Sequence, residues 1–157
     1  MRVGQGWDLH LLTAGRPLIL GGLPIPADSG CLAHSDGDVL IHALIDALLG
    51  ALALGDIGDH FPPSDPRYRD ISSVILLKQV MEEVRDRGYG VVNVDCTVIL
   101  ESPRLTGYKA AIARNLEALL GLAAGTVSVK AKTAEGTGPV GAGKAAEAKA
   151  VVLLDRS

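Results

Sequence analysis

Asp8 and His10 stand two residues apart in Met1-Arg2-Val3-Gly4-Gln5-Gly6-Trp7-Asp8-Leu9-His10. This stretch reads as a β-strand, so both side chains leave the same face. A second histidine, His42, ends the polar run Ala33-His34-Ser35-Asp36-Gly37-Asp38-Val39-Leu40-Ile41-His42. Asp, His and His form a donor set for zinc or another divalent transition metal. Three protein ligands leave a fourth position open, as catalytic zinc sites do and structural ones do not. Asp-x-His taken alone reads as a surface carboxylate beside a packed histidine. What favours a metal is His42, on an apolar helix with carboxylates of its own. Asp38, His42 and Asp46 fall four apart and make one polar stripe on an element that is otherwise buried. Polar groups there are costly unless paired or bound to metal, so Asp38 and Asp46 are predicted to support His42 from behind.

The element that positions His42 is predicted from its start signal. Ser35 is the candidate N-cap, Asp38 takes the capping-box position, and Asp36 and Asp38 load the first turn with negative charge. Leu40, Ala43, Leu44, Ala47, Leu48 and Ala51 then repeat at helical spacing to about Leu54, with Gly55 as the terminating glycine. The free N–H groups at the start of such a helix are a natural phosphate seat.

Length and composition bound the rest. A chain of 157 residues makes one domain, 1–157, and 48% apolar residues are enough for a core that must be built from Leu, Ile, Val and Ala, because aromatics are 3%. The net charge is −3 with no basic run, which argues against nucleic acid as a partner but not against an anionic substrate. Cys31 and Cys96 are far apart in sequence and read as packed thiols in a reducing compartment. No secretory signal is legible, and the longest apolar stretch, Ala43 to Leu54, contains Asp46 and is too short for a bilayer. A cytoplasmic protein with no membrane partner is the expectation.

Along the chain, Leu18–Leu20 and Leu23–Pro26 are short strands around Gly21-Gly22, the second an edge strand because of its prolines, and Asp28-Ser29-Gly30 closes the segment. Asp56 to Pro66 reads as a connecting loop, with His60 an exposed loop histidine and not a ligand. Asp70 to Arg87 is an amphipathic helix, Tyr89 to Leu100 a long strand, Lys109 to Leu120 a helix ended by Gly121, and Thr126 to Lys132 an alternating strand. Glu135 to Gly143 is glycine-rich and flexible, without the order of a P-loop. Thr133 and Glu135, at a strand end, could hold a phosphate and a magnesium ion, although a mobile loop is the default reading, as solvated strand lysines are for Lys130 and Lys132. Ala145 to Leu154 carries helical composition at its start, but its Ala150-Val151-Val152-Leu153-Leu154 favours a closing strand. The order predicts an α+β fold: a single mixed sheet with helices packed on one face, in a ferredoxin-like arrangement.

Arg2-Val3-Gly4-x-Gly6-Trp7-Asp8-x-His10, Ala33-His34-Ser35-Asp36-Gly37-Asp38, His42-Ala43-Leu44-x-Asp46-Ala47-Leu48-Leu49-Gly50-Ala51 and Ala53-Leu54-Gly55-Asp56-Ile57-Gly58-x-x-Phe61-Pro62 resemble the motifs of the 2-C-methyl-D-erythritol 2,4-cyclodiphosphate synthase family. The resemblance runs from Arg2 to about Leu154. It implies a reaction of non-mevalonate isoprenoid synthesis, in which the 2-phosphate of a CDP-linked methylerythritol attacks the β-phosphorus and CMP leaves. By resemblance, Asp8, His10 and His42 hold zinc, and Glu135 holds magnesium or manganese with the substrate phosphates. His34 and Thr133 match transition-state positions, and Ser35 seats phosphate. Leu9, Asp56, Ile57, Gly58, Phe61 and Asp65 are further implied substrate contacts, the segment 56–58 facing the methylerythritol part. Leu100, Pro103, Arg104, Leu105 and Thr106, together with Ala131, Lys132, Thr133 and Ala134, are implied around the cytidine. The resemblance also implies a homotrimer whose active sites lie between subunits. Pro63, Pro139 and Ala142 depart from it, standing where an Asp, an aromatic and an Arg are common, with Lys144 a possible substitute for the last.

Two other readings use the same ligands. A metal-dependent phosphohydrolase would place water at the open metal position, and a metal- or metabolite-binding trimer would turn nothing over.

Overall fold

A computed structural model describes residues 1–156. Among these residues, seven strands and five helices follow in the order β1 (Arg2–Ala14), β2 (Leu18–Leu20), β3 (Leu23–Ile25), β4 (Ser29–Cys31), α1 (Val39–Ala51), α2 (Ile57–His60), α3 (Ser73–Asp86), β5 (Tyr89–Ile99), α4 (Lys109–Leu120), β6 (Val127–Lys132), α5 (Gly138–Gly141) and β7 (Ala145–Arg156), with a short 3₁₀ turn at Pro66–Tyr68.

The α+β fold with a mixed sheet is present, with two differences from expectation. Five strands in the order β4-β1-β7-β5-β6 make the main sheet, while β2 and β3 pair only with each other as a separate hairpin. Only β5 and β6 are parallel neighbours; β7 runs antiparallel between β1 and β5. The ferredoxin-like expectation therefore fails in part. That fold splits both of its βαβ units; here β7 splits the first, but β5-α4-β6 closes with its strands adjacent. Strand β7 takes the place between β1 and β5 and pairs antiparallel with both. Ser29–Gly30, expected to be a closing turn, belongs to β4, whose backbone completes the edge beside β1.

The core lies between the sheet and the helices. Along β7, Ala146, Ala148, Ala150, Val152 and Leu154 all point inward and are fully buried. Helix α1 is apolar almost all round and rests on β1 and β7. Gly4 and Gly6 of β1 face it, and a Cβ on Gly6 would stand 2.7 Å from the Ala47 nitrogen and closer still to the Ala43 carbonyl oxygen. Helix and strand thus touch backbone to backbone, which only the Gly-x-Gly of β1 and the Ala-x-x-x-Ala of α1 permit. The opposite face of the sheet leaves Val3, Trp7, Leu11 and Val151 exposed.

The ends of α1 differ from the sequence expectation. Its N-cap is Asp38, not Ser35, and no acidic residue lies in its first turn. Asp38 is wholly buried: Oδ1 accepts from Ile41 N (3.0 Å) and Gly21 N (3.0 Å), Oδ2 from Gly22 N (2.6 Å). It clips the β2–β3 turn to the helix, a partner that lies too far away in sequence to be read locally. Burial pushes its carboxyl up to about 6, although the three N–H donors favour the anion. At the other end the left-handed residue after the helix is Ala53 (φ 57°), and Leu54 N closes on Leu49 O, so the helix stops before Leu54.

The loop after α1 is also more ordered than its composition suggests, since Asp56 and Asp59 form a reciprocal capping box on α2. His60 is half-buried against Leu54 O (2.9 Å) and has no place among the ligands. Asp70 to Ser72 do not join α3: Asp70 N donates to His34 O (2.7 Å) and Asp36 N to Ile71 O (3.0 Å), tying this segment to the polar run before α1. Cys31 and Cys96 are buried and unpaired, and burial pushes each thiol up to about 12. Among the described residues no helix is long and apolar enough to cross a membrane.

Candidate metal centre

The alternation of β1 sends Gly4, Gly6, Asp8 and His10 to one face. The glycines let α1 settle on the strand, and the last two residues stand where α1 begins. His42, in the first turn of the helix, therefore meets them. Asp8 Oδ2 lies 2.9 Å from His10 Nε2 and 3.0 Å from His42 Nδ1, and the two ring nitrogens are 3.1 Å apart. These ligand atoms are the one group of three or more metal-capable side chains found among the described residues.

The donor set fits a zinc ion. Zn–N and Zn–O bonds of about 2.0–2.1 Å in a tetrahedron set ligand atoms roughly 3.3–3.4 Å apart, a few tenths of an ångström wider than the triangle seen here. Two imidazoles and one carboxylate suit a borderline ion and leave one coordination position for an outside ligand. The electrostatics agree. Burial works to raise Asp8, but hydrogen bonds from His10 and His42 outweigh it and hold the carboxyl well below its usual range. Burial likewise opposes charge on His42, yet the hydrogen-bonded Asp8 carboxylate, with Asp38 and Asp36 behind it, pushes that imidazole up. The centre is a place built for positive charge.

The far side of the His42 ring is not supported as the stripe predicted. Asp46 accepts from Ile57 N (2.8 Å) and Asp38 from the hairpin and α1, and neither carboxylate hydrogen-bonds His42. Instead Nε2 meets Ser73 Oγ (2.9 Å) and Ser35 Oγ (3.1 Å), and Ser73 donates to Asp36. Residues four apart on a helix share a face but diverge along it, so a ring at the helix N-terminus is served by loops instead. Ser73 and Asp36 were not legible as site residues; only the fold brings the start of α3 to the ring.

A cavity of about 290 Å³ opens beside the centre, lined by Asp8, His10, His34, Ser35 and His42 on its polar side and by Ile57, Gly58, Phe61, Pro63, Tyr68, Ile71 and Leu76 on the rest. Of the predicted contacts, Leu9, Asp56 and Asp65 do not line it. Leu9 alternates to the other face of β1, Asp56 caps α2, and Asp65 pairs with Arg67 (2.6 Å) while capping the 3₁₀ turn. Tyr68, Ile71 and Leu76 were missed, since apolar residues carry no sequence mark that separates a cavity wall from core.

A second cavity, of about 420 Å³, is lined by Leu100, Glu101, Arg104, Leu105, Thr106, Ala131, Lys132, Thr133 and Glu135. Pro103 lines a different hollow with Ser29 and Gly143. Ala134 N donates to Glu101 (3.3 Å), and Thr133 Oγ1 donates to Glu135 Oε1 (2.7 Å). Apart from Leu9, Asp56, Asp65, Pro103 and Ala134, the predicted substrate and metal residues thus fall into two separate groups on one chain.

Comparison with known proteins places this architecture. The YgbB family profile matches residues 1–155. The chain is 54% identical over 155 residues to 2-C-methyl-D-erythritol 2,4-cyclodiphosphate synthase of Gloeobacter violaceus, covering 99% of this chain and 95% of that protein. It is also 54% identical over 153 residues to the bifunctional enzyme IspD/IspF of Albidiferax ferrireducens, covering 98% of this chain but only 37% of that longer protein. A solved 2C-methyl-D-erythritol-2,4-cyclodiphosphate synthase in a CDP-bound form superposes with a TM-score of 0.91 at 44% identity, over 98% of this chain and 100% of that one. With the family profile, the near full-length identity and the superposition all in agreement, the chain belongs to the YgbB family.

Proposed function

We propose that this chain is a metal-dependent phosphorus–oxygen lyase that converts 4-CDP-2-C-methyl-D-erythritol 2-phosphate to 2-C-methyl-D-erythritol 2,4-cyclodiphosphate and CMP, in the non-mevalonate route to isoprenoids. One observation carries the reading: Asp8, His10 and His42 converge on one point at the edge of a cavity, in a chain alike along its length to synthases of that name.

In this reading an oxygen of the 2-phosphate attacks the β-phosphorus. The bond from that phosphorus to the bridging oxygen breaks, and CMP leaves with the bridging oxygen. The nucleophile is already an anion, so the protein needs no activated Ser or Cys; positioning and charge neutralisation suffice. When bound, zinc at Asp8, His10 and His42 supplies Lewis-acid polarisation of a β-phosphate oxygen, and magnesium or manganese at Glu135 offsets the adjoining phosphate charge. His34 and Ser35 line the same cavity and act on the phosphates, His34 on charge that builds in the transition state. Ile57, Gly58 and Phe61 form an apolar wall for the branched carbon skeleton. Thr133, which donates to Glu135, presents that carboxylate beside the pocket for the cytidine, walled by Leu100, Arg104, Leu105, Thr106, Ala131 and Lys132.

The two groups of residues line different cavities of one chain, which supports a homotrimer in which each site takes its zinc half from one subunit and its cytidine half from the next. The exposed apolar side chains on the open face of the sheet, Val3, Trp7, Leu11 and Val151, support the same assembly. Phosphorus NMR of the protein with the CDP-linked substrate and magnesium tests the function: CMP and a cyclic diphosphate are expected. Inorganic phosphate would make it a phosphohydrolase, and unchanged substrate a binding protein; either result overturns the reading.

A further inference from the structure

We propose that Ser73, oriented by Asp36, is a positioning residue that accepts the Nε2 proton of His42 and so holds the ring with Nδ1 turned toward Asp8 and His10. The inference rests on the metal site read above and concerns what makes one of its ligands competent.

The argument follows the donors. Ser73 is fully buried and its hydroxyl donates to Asp36 Oδ1. An ionised carboxylate can only accept, so the single Ser73 proton is committed there. Asp36 cannot easily turn away: its Oδ2 accepts from Ser73 N (3.0 Å) and its Oδ1 from Asp38 N (3.2 Å). Ser73 Oγ, 2.9 Å from His42 Nε2, is therefore left to accept, and what it accepts is the Nε2 proton. With Nε2 held there, the ring turns Nδ1 toward the centre, 3.0 Å from Asp8 and 3.1 Å from His10 Nε2, the edge from which it would ligate a metal. Ser35 Oγ, which accepts from Gly37 N, sits on the Nε2 side at 3.1 Å.

The same carboxylate has a structural task. The residue before α3, Ser72, makes no side-chain cap, and Asp36 takes the Ser73 N–H in its place. One aspartate from the loop before α1 thus anchors α3 and, through the Ser73 hydroxyl, orients a ring carried by α1.

The test compares wild type, Ser73→Ala, Ser73→Thr and Asp36→Asn in the full chain. Zinc affinity is measured by competition with a chelator. The His42 Nε2 proton is followed by ¹H–¹⁵N NMR in metal-free and zinc-loaded protein. Wild type is expected to show it, hydrogen-bonded and slow to exchange. Ser73→Ala is expected to speed its exchange and weaken zinc binding about 10- to 100-fold, with Ser73→Thr recovering most of the loss. Asp36→Asn places an amide N–H against either the Ser73 N–H or its hydroxyl, and is expected to weaken zinc binding over the same range. A wild-type Nε2 proton that exchanges as fast as in Ser73→Ala, or zinc affinity in Ser73→Ala equal to wild type, overturns the inference. Should Ser73→Ala fail to fold, the wild-type spectrum and Asp36→Asn decide. Wild-type protein that takes up no zinc would instead sink the metal assignment, while its metal-free spectrum would still judge Ser73.

Discussion

Gly6→Ala is the sharpest test of how this fold makes its site. The added Cβ would fall 2.7 Å from Ala47 N and nearer still to the Ala43 carbonyl oxygen, where real Cβ atoms keep at least 3.0 Å. Both obstacles are backbone, so no side chain can swing aside; α1 itself must retreat, by at least about 1 Å. Overpacking of this kind costs about 1–3 kcal/mol or more. The effect on the site should be larger in proportion. His42 precedes Ala43 and moves with it, whereas Asp8 and His10 stay on β1. Metal–ligand distances tolerate only about 0.2 Å, so one ligand of three is pulled out of reach. The assay is zinc content by mass spectrometry beside a thermal melt, with Gly50→Ala as the control. A Cβ at Gly50 in the same helix finds only Gln5 O, at 3.9 Å, and should raise stability by about 0.5–1 kcal/mol while leaving zinc untouched. Gly6→Ala protein that folds, melts near wild type and keeps full zinc would refute the claim that backbone contact between β1 and α1 sets the ligand geometry.

His42→Ala leaves two ligands and should lose zinc and most activity while the fold persists; unaltered zinc content would remove His42 from the ligand set. Asp46→Ala frees the Ile57 N–H that it now accepts (2.8 Å), so it should raise KM through the Ile57–Gly58 wall and leave zinc content unchanged, and a loss of zinc instead would restore Asp46 as a support of His42. In metal-free protein the melting-midpoint loss caused by Asp8→Asn should be greatest between about pH 4 and 6.5. The Asp8 carboxyl sits below its ordinary 3.8, so its contribution is present above that value and fades as acid protonates it; His42 sits above its ordinary 6.5, so its contribution is present below that value and fades as the pH rises through the higher one. The variant is the comparison because Asp38, its carboxyl pushed up to about 6, lowers stability as it ionises over the same range in both proteins. A loss no greater between pH 4 and 6.5 than outside it would mean that Asp8 and His42 are not paired.

Much of this protein is legible before any coordinates. Period 2 in Met1–His10 and in Thr126–Lys132, period 3.6 in Leu40–Ala51 and Lys109–Leu120, and turn glycines at 21–22, 88 and 121 place most elements, because each signal is carried within a few residues of where it acts. The Asp-x-His of β1 and the helical His42 are legible for the same reason: donor type and parity are local facts. Three other things were decided only by the tertiary structure. Asp38, not Ser35, caps α1, because its carboxylate is claimed by the Gly21 and Gly22 amides of a distant hairpin. The ring of His42 is served by Ser73 and not by Asp46, because the start of α3 and the Asp36 loop meet it while Asp46 is taken by the Ile57 N–H. And β7 enters between β1 and β5, a pairing that no local signal specifies. A sequence states which atoms can donate, accept or bury; which donor meets which acceptor depends on long-range packing, where many pairings of the same local pieces are possible and only close backbone approach, as at Gly4 and Gly6, selects one.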